Sequence, residues 1–467
     1  MTGLELAAAV VVATIAVLGA GIMIIGLIKL VFVPVAFAFE MAAAWRRRAE
    51  REARLNEARL AHAAPELLAS QVAEGWWLPG SEERRALDRR TLYDQRPSVS
   101  VIVPAFNEAA VVPNCVRSIL ASRYARLEVV LVDDGSTDET LAQLKELART
   151  DRRVKVLTQA NAGKGSALNK GITSSTGEVL MFVDADGIFC PNTIEEMLEG
   201  FIDDSVGAVC GDDRPVNIDR VQTRLLTIIS HVGTGLVRRV LTVLRCLPIV
   251  SGNIGAFRRQ MIEEIGGFRE DTVGEDLELT WRVHRAGYQV RFQPRALVMA
   301  ESPSTIRGLW KQRVRWARGL LQTLKIHADM VGNVRFGIFG PYLLLNTLTM
   351  VVVPLAQLAV LVLLPVGLWL GRDVLPSSLL AVVGFLGLLI SLALILLALS
   401  FNKALRDLRH IWTLFCWPFY SVFVGLTMVA ALYLEATGQP AKWNKLQRTG
   451  VIDAVRAESL AELKVIR

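Results

Sequence analysis

Cysteine and histidine are scarce in this 467-residue sequence, with five of each. The cysteines (Cys115, Cys190, Cys210, Cys246 and Cys416) have neither paired nor metal-ligand spacing, and the histidines are equally scattered. That excludes a disulfide scaffold and a zinc cluster, and it fits reduced thiols in a cytosolic domain or in membrane helices. The formal net charge is +7, but no basic patch interleaved with aromatics occurs in the soluble part, so nucleic acid is not an expected partner. The Gly-x-x-x-x-Gly-Lys-Ser/Thr spacing of a Walker loop is missing. No basic residue precedes the first apolar run. That run is also much too long for a secretory signal, so a retained anchor is expected although "AFA" at 36–38 resembles a cleavage site.

Apolar residues, in contrast, make up 52% of the chain, and they are segregated. The long runs lie in 5–44 and 337–434, while 45–335 reads as a soluble domain. A run of about 18 apolar residues can cross a hydrocarbon core of roughly 30 Å. The expected plan is a transmembrane anchor over 1–44 and an amphipathic linker over 45–97. A cytosolic domain follows over 98–335, then interfacial and transmembrane helices over 336–435 and a tail over 436–467. Residues 5–36 read as one tilted helix and 40–63 as a helix lying at the surface. Arg46, Arg47, Arg48 and Arg51 follow the first run, and Lys403, Arg406 and Arg409 interrupt the second, as expected of cytoplasmic flanks. In the C-terminal region 337–352 is short for a span, and 354–371, 376–400 and 411–434 are candidates. Either the first two are separate passes, or 411–434 lies at the surface or re-enters.

From Ser98 onward the pattern changes. "SVSVIVPAF", "LEVVLVDDGS", "RVKVLTQ" and "EVLMFVDADG" are strand-like runs ending at turns. "VPNCVRSILAS", "DETLAQLKELA" and "KGSALNKGI" between them are helical. Alternation of this kind predicts an α/β domain with a parallel sheet covered on both faces. Ligands in such sheets bind beyond the carboxyl ends of the strands, and there the polar clusters fall: Asn107-Glu108, Asp133-Asp134 and Asp184–Asp186.

Four clusters carry chemistry. Asp184 and Asp186 form an Asp-x-Asp pair able to hold a divalent cation against a diphosphate, or simply a surface acid pair. Asp133 and Asp134 can accept bonds from a base or ribose, and Ser136 or Asp138 can cap the next helix; both readings can hold together. Lys164, between two glycines at a helix start, suits phosphate or solvent. Glu275 and Asp276 open a helical pattern, where the dipole favours ionised carboxylates. About forty residues on, "WKQRVRWARG" is either a cationic aromatic site element or an interfacial helix with snorkelling arginines.

In combination, "VIVPAFNEAAVV", "VVLVDDGSTD", "NAGKGSALN", "MFVDADG", "GEDLELTWRVHRAGYQVRFQPRA" and "LWKQRVRWARG" resemble the family-2 glycosyltransferases in content and order, in particular the processive membrane-bound synthases. Within that family the pattern is most similar to the poly-β-1,6-N-acetylglucosamine synthases, with chitin-oligosaccharide, hyaluronan and cellulose synthases as relatives. The resemblance covers 98–330 strongly. It implies a GT-A-like nucleotide-sugar-binding domain inserted between transmembrane α-helices, in a bacterial inner membrane. Ala105, Asn107 and Glu108 would form the first nucleotide-contacting loop. Asp134 would lie near the uracil or ribose, and Lys164 near the phosphates. Asp184 and Asp186 would hold UDP and a Mg²⁺ or Mn²⁺ ion. Asp276 would be the base, with Glu275 positioning the loop or accepting a hydrogen bond. Gln312, Arg315 and Trp316, the Q-x-x-R-W of processive members, would close over the diphosphate and the acceptor. "GDDRP" at 211–215 falls where relatives contact the donor sugar or acceptor. The implied partners are a UDP-sugar, a growing polysaccharide, membrane lipid and a small accessory subunit or export proteins. Two rival readings are a non-processive transferase adding one sugar to a lipid carrier, and a channel component that only senses nucleotide.

Overall fold

The computed structural model describes residues 9–14, 31–49, 52, 96–369 and 378–440. Most of the expected helix over 5–36, the linker over 45–97 and the tail from 441 lie outside the described residues; 32–49 is helical.

The four runs read as strands are β1 (Val99–Ala105), β2 (Leu127–Asp133), β3 (Val154–Thr158) and β4 (Val179–Phe182), joined by helices Val112–Leu120, Thr140–Thr150 and Lys164–Ser174. They pair in parallel, with Ala105 opposite Asp133, Asp133 opposite Thr158 and Ile102 opposite Phe182, so their carboxyl ends share one edge. Side chains alternate across the sheet. Val99, Val101 and Val103 pack with Val112, Cys115 and Ile119 on one face, and Ile102 packs with Leu168 and Trp281 on the other.

The all-parallel expectation holds for this half only. β5 (Ile188–Phe189), β6 (Val206–Pro215), β7 (Gly255–Arg258) and β8 (Gln289–Ala300) extend it into a mixed sheet of order β3-β2-β1-β4-β7-β6-β8-β5. β7 is antiparallel to both β4 and β6, β6 and β8 are parallel with two register shifts, and β5 is antiparallel to β8. Charges and a proline interrupt the apolar pattern of β6 and β8, which hid them. Asp212 is fully buried but pairs with Arg214 at 2.7 Å, and Arg295 pairs with Glu196 at 2.6 Å.

Among the described residues two helices are long and apolar enough to cross a membrane, Phe339–Trp369 and Leu405–Ala436. Only 6% of the most apolar stretch of the first is buried, unlike the core helix of a soluble domain. The segments read as 337–352 and 354–371 are therefore one helix, not two passes. A π turn, Leu348–Val352, precedes Pro354 and widens the backbone where the proline ring would otherwise meet the carbonyl of Met350. A further apolar helix covers Ser378–Phe401. In the second long helix Leu405–Cys416 is a 3₁₀ segment and Trp417–Ala436 is α-helical.

These helices are fastened to the sheet domain. Phe339 is buried against Trp281 at 6.0 Å and stacks on His284 at 3.8 Å. Burial pushes the His284 imidazole down to about 4. On the other side Arg239 donates to Glu40 (2.6 Å) and Asn402 (3.0 Å), and His231 meets Asp407 at 2.9 Å. The basic 403–410 segment thus lies against the sheet domain.

Candidate active site

The loops after β1, β2 and β4 meet at the shared carboxyl edge. Asn107 is left-handed, with φ of 55°, a conformation asparagine tolerates better than most residues. Its Oδ1 accepts from the amides of Thr137 (2.7 Å) and Asp138 (3.3 Å), and its own N–H donates to Ser136 Oγ (2.9 Å). The Glu108 N–H donates to Thr140 Oγ1 at 2.8 Å, so the first two loops are laced together, starting from buried Ala105. Asp138 accepts from the Thr140 amide at 2.9 Å, but the N-cap position of that helix is Glu139, not Ser136 or Asp138. Asp134 is buried and accepts from Gln159 Nε2 (2.8 Å) and the amides of Ala162 and Gly163 (both 2.9 Å). It fixes the segment that presents Lys164.

Lys164 opens its helix and links two parts of the chain. Its Nζ lies 2.6 Å from Asp184 Oδ1 and 3.2 Å from Glu275 Oε1, with the lysine and Glu275 side chains about one-tenth exposed or less. Burial pulls the ammonium down, but Asp184, Glu275 and Asp276 together outweigh it and hold its pKa above the ordinary value. Glu275 and Asp276 are the first two residues of helix Glu275–Arg285, as the sequence predicts. The helix end favours the ionised form of Asp276 as expected, but burial works against it. Burial and then the Glu275 charge raise its carboxyl to about 6, against the opposing pull of Lys164, the Leu277 N–H and Arg315. Desolvation here exceeds the worth of a helix end.

Two site residues were not found from sequence. The Gly252 N–H donates to Asp276 Oδ2 at 3.1 Å, and the Leu277 N–H donates to Oδ1 at 2.8 Å. A Cβ at Gly252 would stand 2.9 Å from Lys164 Nζ and 3.3 Å from Asp276 Oδ2. With Ser251 it lines a small pocket shared with Lys164, Glu275, Asp276 and Phe182. Ser251 and Gly252 carry no titratable group, and Gly252 acts through its backbone, so composition and spacing gave no signal.

The Q-x-x-R-W segment joins the site. Gln312, Arg315 and Trp316 lie one turn apart on helix Ile306–Ile326. Arg315 is near enough to Asp276 for its charge to lower that carboxyl. Trp316 is 49% exposed, with the Arg313 guanidinium 4.5 Å over its ring. The helix reaches the base because Gly319 meets Gly274 backbone to backbone; a Cβ on either would stand 2.8 Å from the other's Cα.

Asp184 and Asp186 follow β4. Asp184 faces Lys164, while Asp186 is buried beside a second pocket with Asn114 and Glu301. Their charges and that of Glu108 reinforce burial in pushing the Cys115 thiol up. Among the described residues no three His, Cys, Asp or Glu side chains form a metal cage. Two hard carboxylate oxygens completed by diphosphate oxygens and water are, however, what Mg²⁺ or Mn²⁺ accepts, so the donor set fits such an ion. In the "GDDRP" strand Asp213 pairs with Arg238 at 2.8 Å.

Residues 100–266 match the glycosyl transferase family 2 profile. A poly-beta-1,6-N-acetyl-D-glucosamine synthase of Staphylococcus aureus (strain COL) is 29% identical over 254 residues, 52% of this chain and 62% of the relative. The synthase of the same name from Staphylococcus epidermidis is 30% identical over 236 residues, 50% of this chain and 57% of the relative. The match thus spans less than two thirds of these relatives' own length. Among solved structures, a mannosyltransferase from Pyrobaculum calidifontis, in complex with GDP-Man and Mn²⁺, has the same fold: TM-score 0.53, 21% identity, 88% of this chain and 99% of that one.

Proposed function

We propose that this chain, which carries a glycosyl transferase family 2 domain over residues 100–266, is an inverting, processive synthase. In this reading it takes a UDP-sugar, UDP-N-acetylglucosamine by analogy with its relatives. It extends a β-linked polysaccharide and passes it across the bacterial inner membrane through its own helices. The observation that carries the reading is Asp276, oriented by the Gly252 and Leu277 amides and flanked by Lys164, Glu275 and Arg315.

Each Asp276 oxygen accepts one N–H and keeps a lone pair for an acceptor hydroxyl. The hydroxyl oxygen bonds to C1 of the donor sugar as its proton passes to Asp276. The bond from C1 to the diphosphate oxygen breaks, and UDP leaves with the electron pair. One displacement from the opposite face inverts C1. Lys164 and Arg315 supply positive charge beside the departing diphosphate. A divalent ion, held by Asp184 and Asp186, would neutralise part of that charge. Trp316 offers an apolar face to the acceptor ring, and Ala317 packs against Met428 and Ala431 of the last apolar helix, so that face lies beside the apolar helices.

The test is to incubate the purified protein in nanodiscs with a panel of radiolabelled UDP-sugars and digest any product with linkage-specific glycosidases. The expected product is a β-linked polymer from one sugar. A lipid-linked monosaccharide would select the non-processive rival, and UDP binding without turnover would select the sensor.

Trp316→Ala is expected to bind UDP normally, because the donor contacts lie on the sheet edge, but to make little polymer. One lost aromatic contact is worth about 0.5–1.5 kcal/mol, and the loss recurs at every addition. Polymer of normal yield and length would leave Trp316 as an interfacial anchor only.

A further inference from the structure

Helix Ile306–Ile326 continues past Trp316 and there makes a second set of contacts. Gln322 Oε1 accepts from the Val273 amide and from Thr272 Oγ1, both at 3.0 Å. Thr272 Oγ1 in turn accepts from the Gly274 amide at 3.2 Å. A backbone N–H can only donate, so the carboxamide oxygen must face Val273 and the NH₂ group must face the other way. There it donates to Glu435 Oε1 at 3.0 Å. Glu435 is the next-to-last residue of helix Trp417–Ala436. The same oxygen accepts from Arg318 Nε at 2.6 Å, and Arg318 Nη2 donates to the Gln439 carbonyl at 2.6 Å. The Arg318 side chain is 10% exposed and Glu435 28%, so water screens this pair less than a surface pair.

Gln322 is thus tied at one end to the strand of chain three residues before Asp276 and at the other to the last apolar helix. The Gly274–Gly319 contact leaves no slack between them. Any shift of helix Ile306–Ile326 therefore carries the 272–274 segment, and Asp276 with it.

We propose that Gln322 is a positioning residue for Asp276 and that Glu435 sets Gln322, so that the last apolar helix fixes where the base stands. The role of Asp276 rests on the synthase reading above; the clamp itself does not. It gives the helix that borders the acceptor face a direct hold on the reacting end.

The test uses the full chain in nanodiscs, as wild type and as Gln322→Leu, Glu435→Ala and Glu435→Gln. Turnover, KM for the donor, UDP affinity and amide exchange over 272–277 are measured together. Displacing a catalytic group by about 1 Å can cost about 100-fold, so Gln322→Leu and Glu435→Ala are expected to lower kcat by about 10–100-fold with little change in KM or UDP affinity. Both should also speed exchange at Val273. Glu435→Gln is expected to keep most activity and protection, because its amide oxygen still accepts from Arg318 and Gln322. The proposal is overturned if Gln322→Leu keeps more than about half of kcat, well above the loss expected of a misplaced base. It is also overturned if Glu435→Gln and Glu435→Ala lose equally, or if Val273 exchange is unchanged in Gln322→Leu. If the wild type transfers no sugar at all, the synthase reading fails, and the exchange measurement alone still decides whether the clamp exists.

Discussion

Asp276→Asn is expected to fold, to bind UDP with near-normal affinity and to lose about 10²–10⁴-fold in rate, the range for removing a general base. The amide can keep a bond from the Gly252 or Leu277 N–H but cannot take a proton from the acceptor. A carboxyl raised from 3.8 to about 6 also fixes the sign of two pH effects. Turnover in the wild type should fall as pH drops through about 6, where the base becomes protonated. Stability should move the other way. A carboxyl whose pKa rises on folding favours the folded state below 3.8, and that contribution is lost as pH climbs through about 6. At neutral pH the folded protein holds a costly charge that asparagine lacks, so the melting temperature of Asp276→Asn should equal or exceed that of the wild type. Stability given up at a reacting group is the usual trade. Rate, UDP affinity and melting temperature on one preparation decide the matter. If Asp276→Asn keeps more than about a tenth of the rate, above that range, the base lies elsewhere and Glu275 is the next candidate.

Which parts of this arrangement could be read in advance depends on how each part is encoded. β1, β2 and β4 are legible because both faces are covered, so mainly apolar, buried residues run up to a polar turn, whereas β3 is an edge strand with Lys155 exposed. β6 and β8 are not legible, because Asp212, Arg214 and Arg295 stand within them and are satisfied only by partners that folding supplies. Lys164, Asp184, Glu275 and Asp276 were legible as motif residues, since chemistry demands a charge at each. What the sequence could not supply was their mutual geometry: Lys164 pairs with both Asp184 and Glu275 and so joins motifs far apart in the chain. Asp134 shows the opposite case. It was expected near the nucleotide, and its described contacts hold the loop before Lys164, a role that needs the fold to be seen. Gln322 and Glu435 carried no signal because 113 residues separate them, and neither lies in a motif. The helix-dipole expectation for Asp276 was incomplete for a related reason. The dipole is local and readable, whereas desolvation comes from the packing of Gly252, Glu275 and helix Ile306–Ile326 around it.

Chelation is expected to produce a loss of similar size. Asp184 and Asp186 bring hard oxygen ligands to the carboxyl end of β4, beside Lys164. A diphosphate leaving group develops charge that Lys164 can share only in part, since its ammonium is already engaged by Asp184 and Glu275. A divalent ion typically contributes several kcal/mol to such a step, so turnover in excess EDTA should fall by about 10²-fold or more and return with Mg²⁺ or Mn²⁺. Asp186→Asn is the informative variant. Replacing Asp184 would also release Lys164, and that would lower activity with or without a metal. Asp186→Asn is expected to leave the Lys164–Asp184–Glu275 cluster in place and to lose the metal-dependent part of UDP binding. Calorimetric titration of UDP with and without Mn²⁺ reads that difference without any turnover. Full activity in EDTA, or UDP binding by Asp186→Asn that still responds to Mn²⁺ as the wild type does, would refute the metal assignment and leave the diphosphate to side-chain cations such as Lys164 and Arg315.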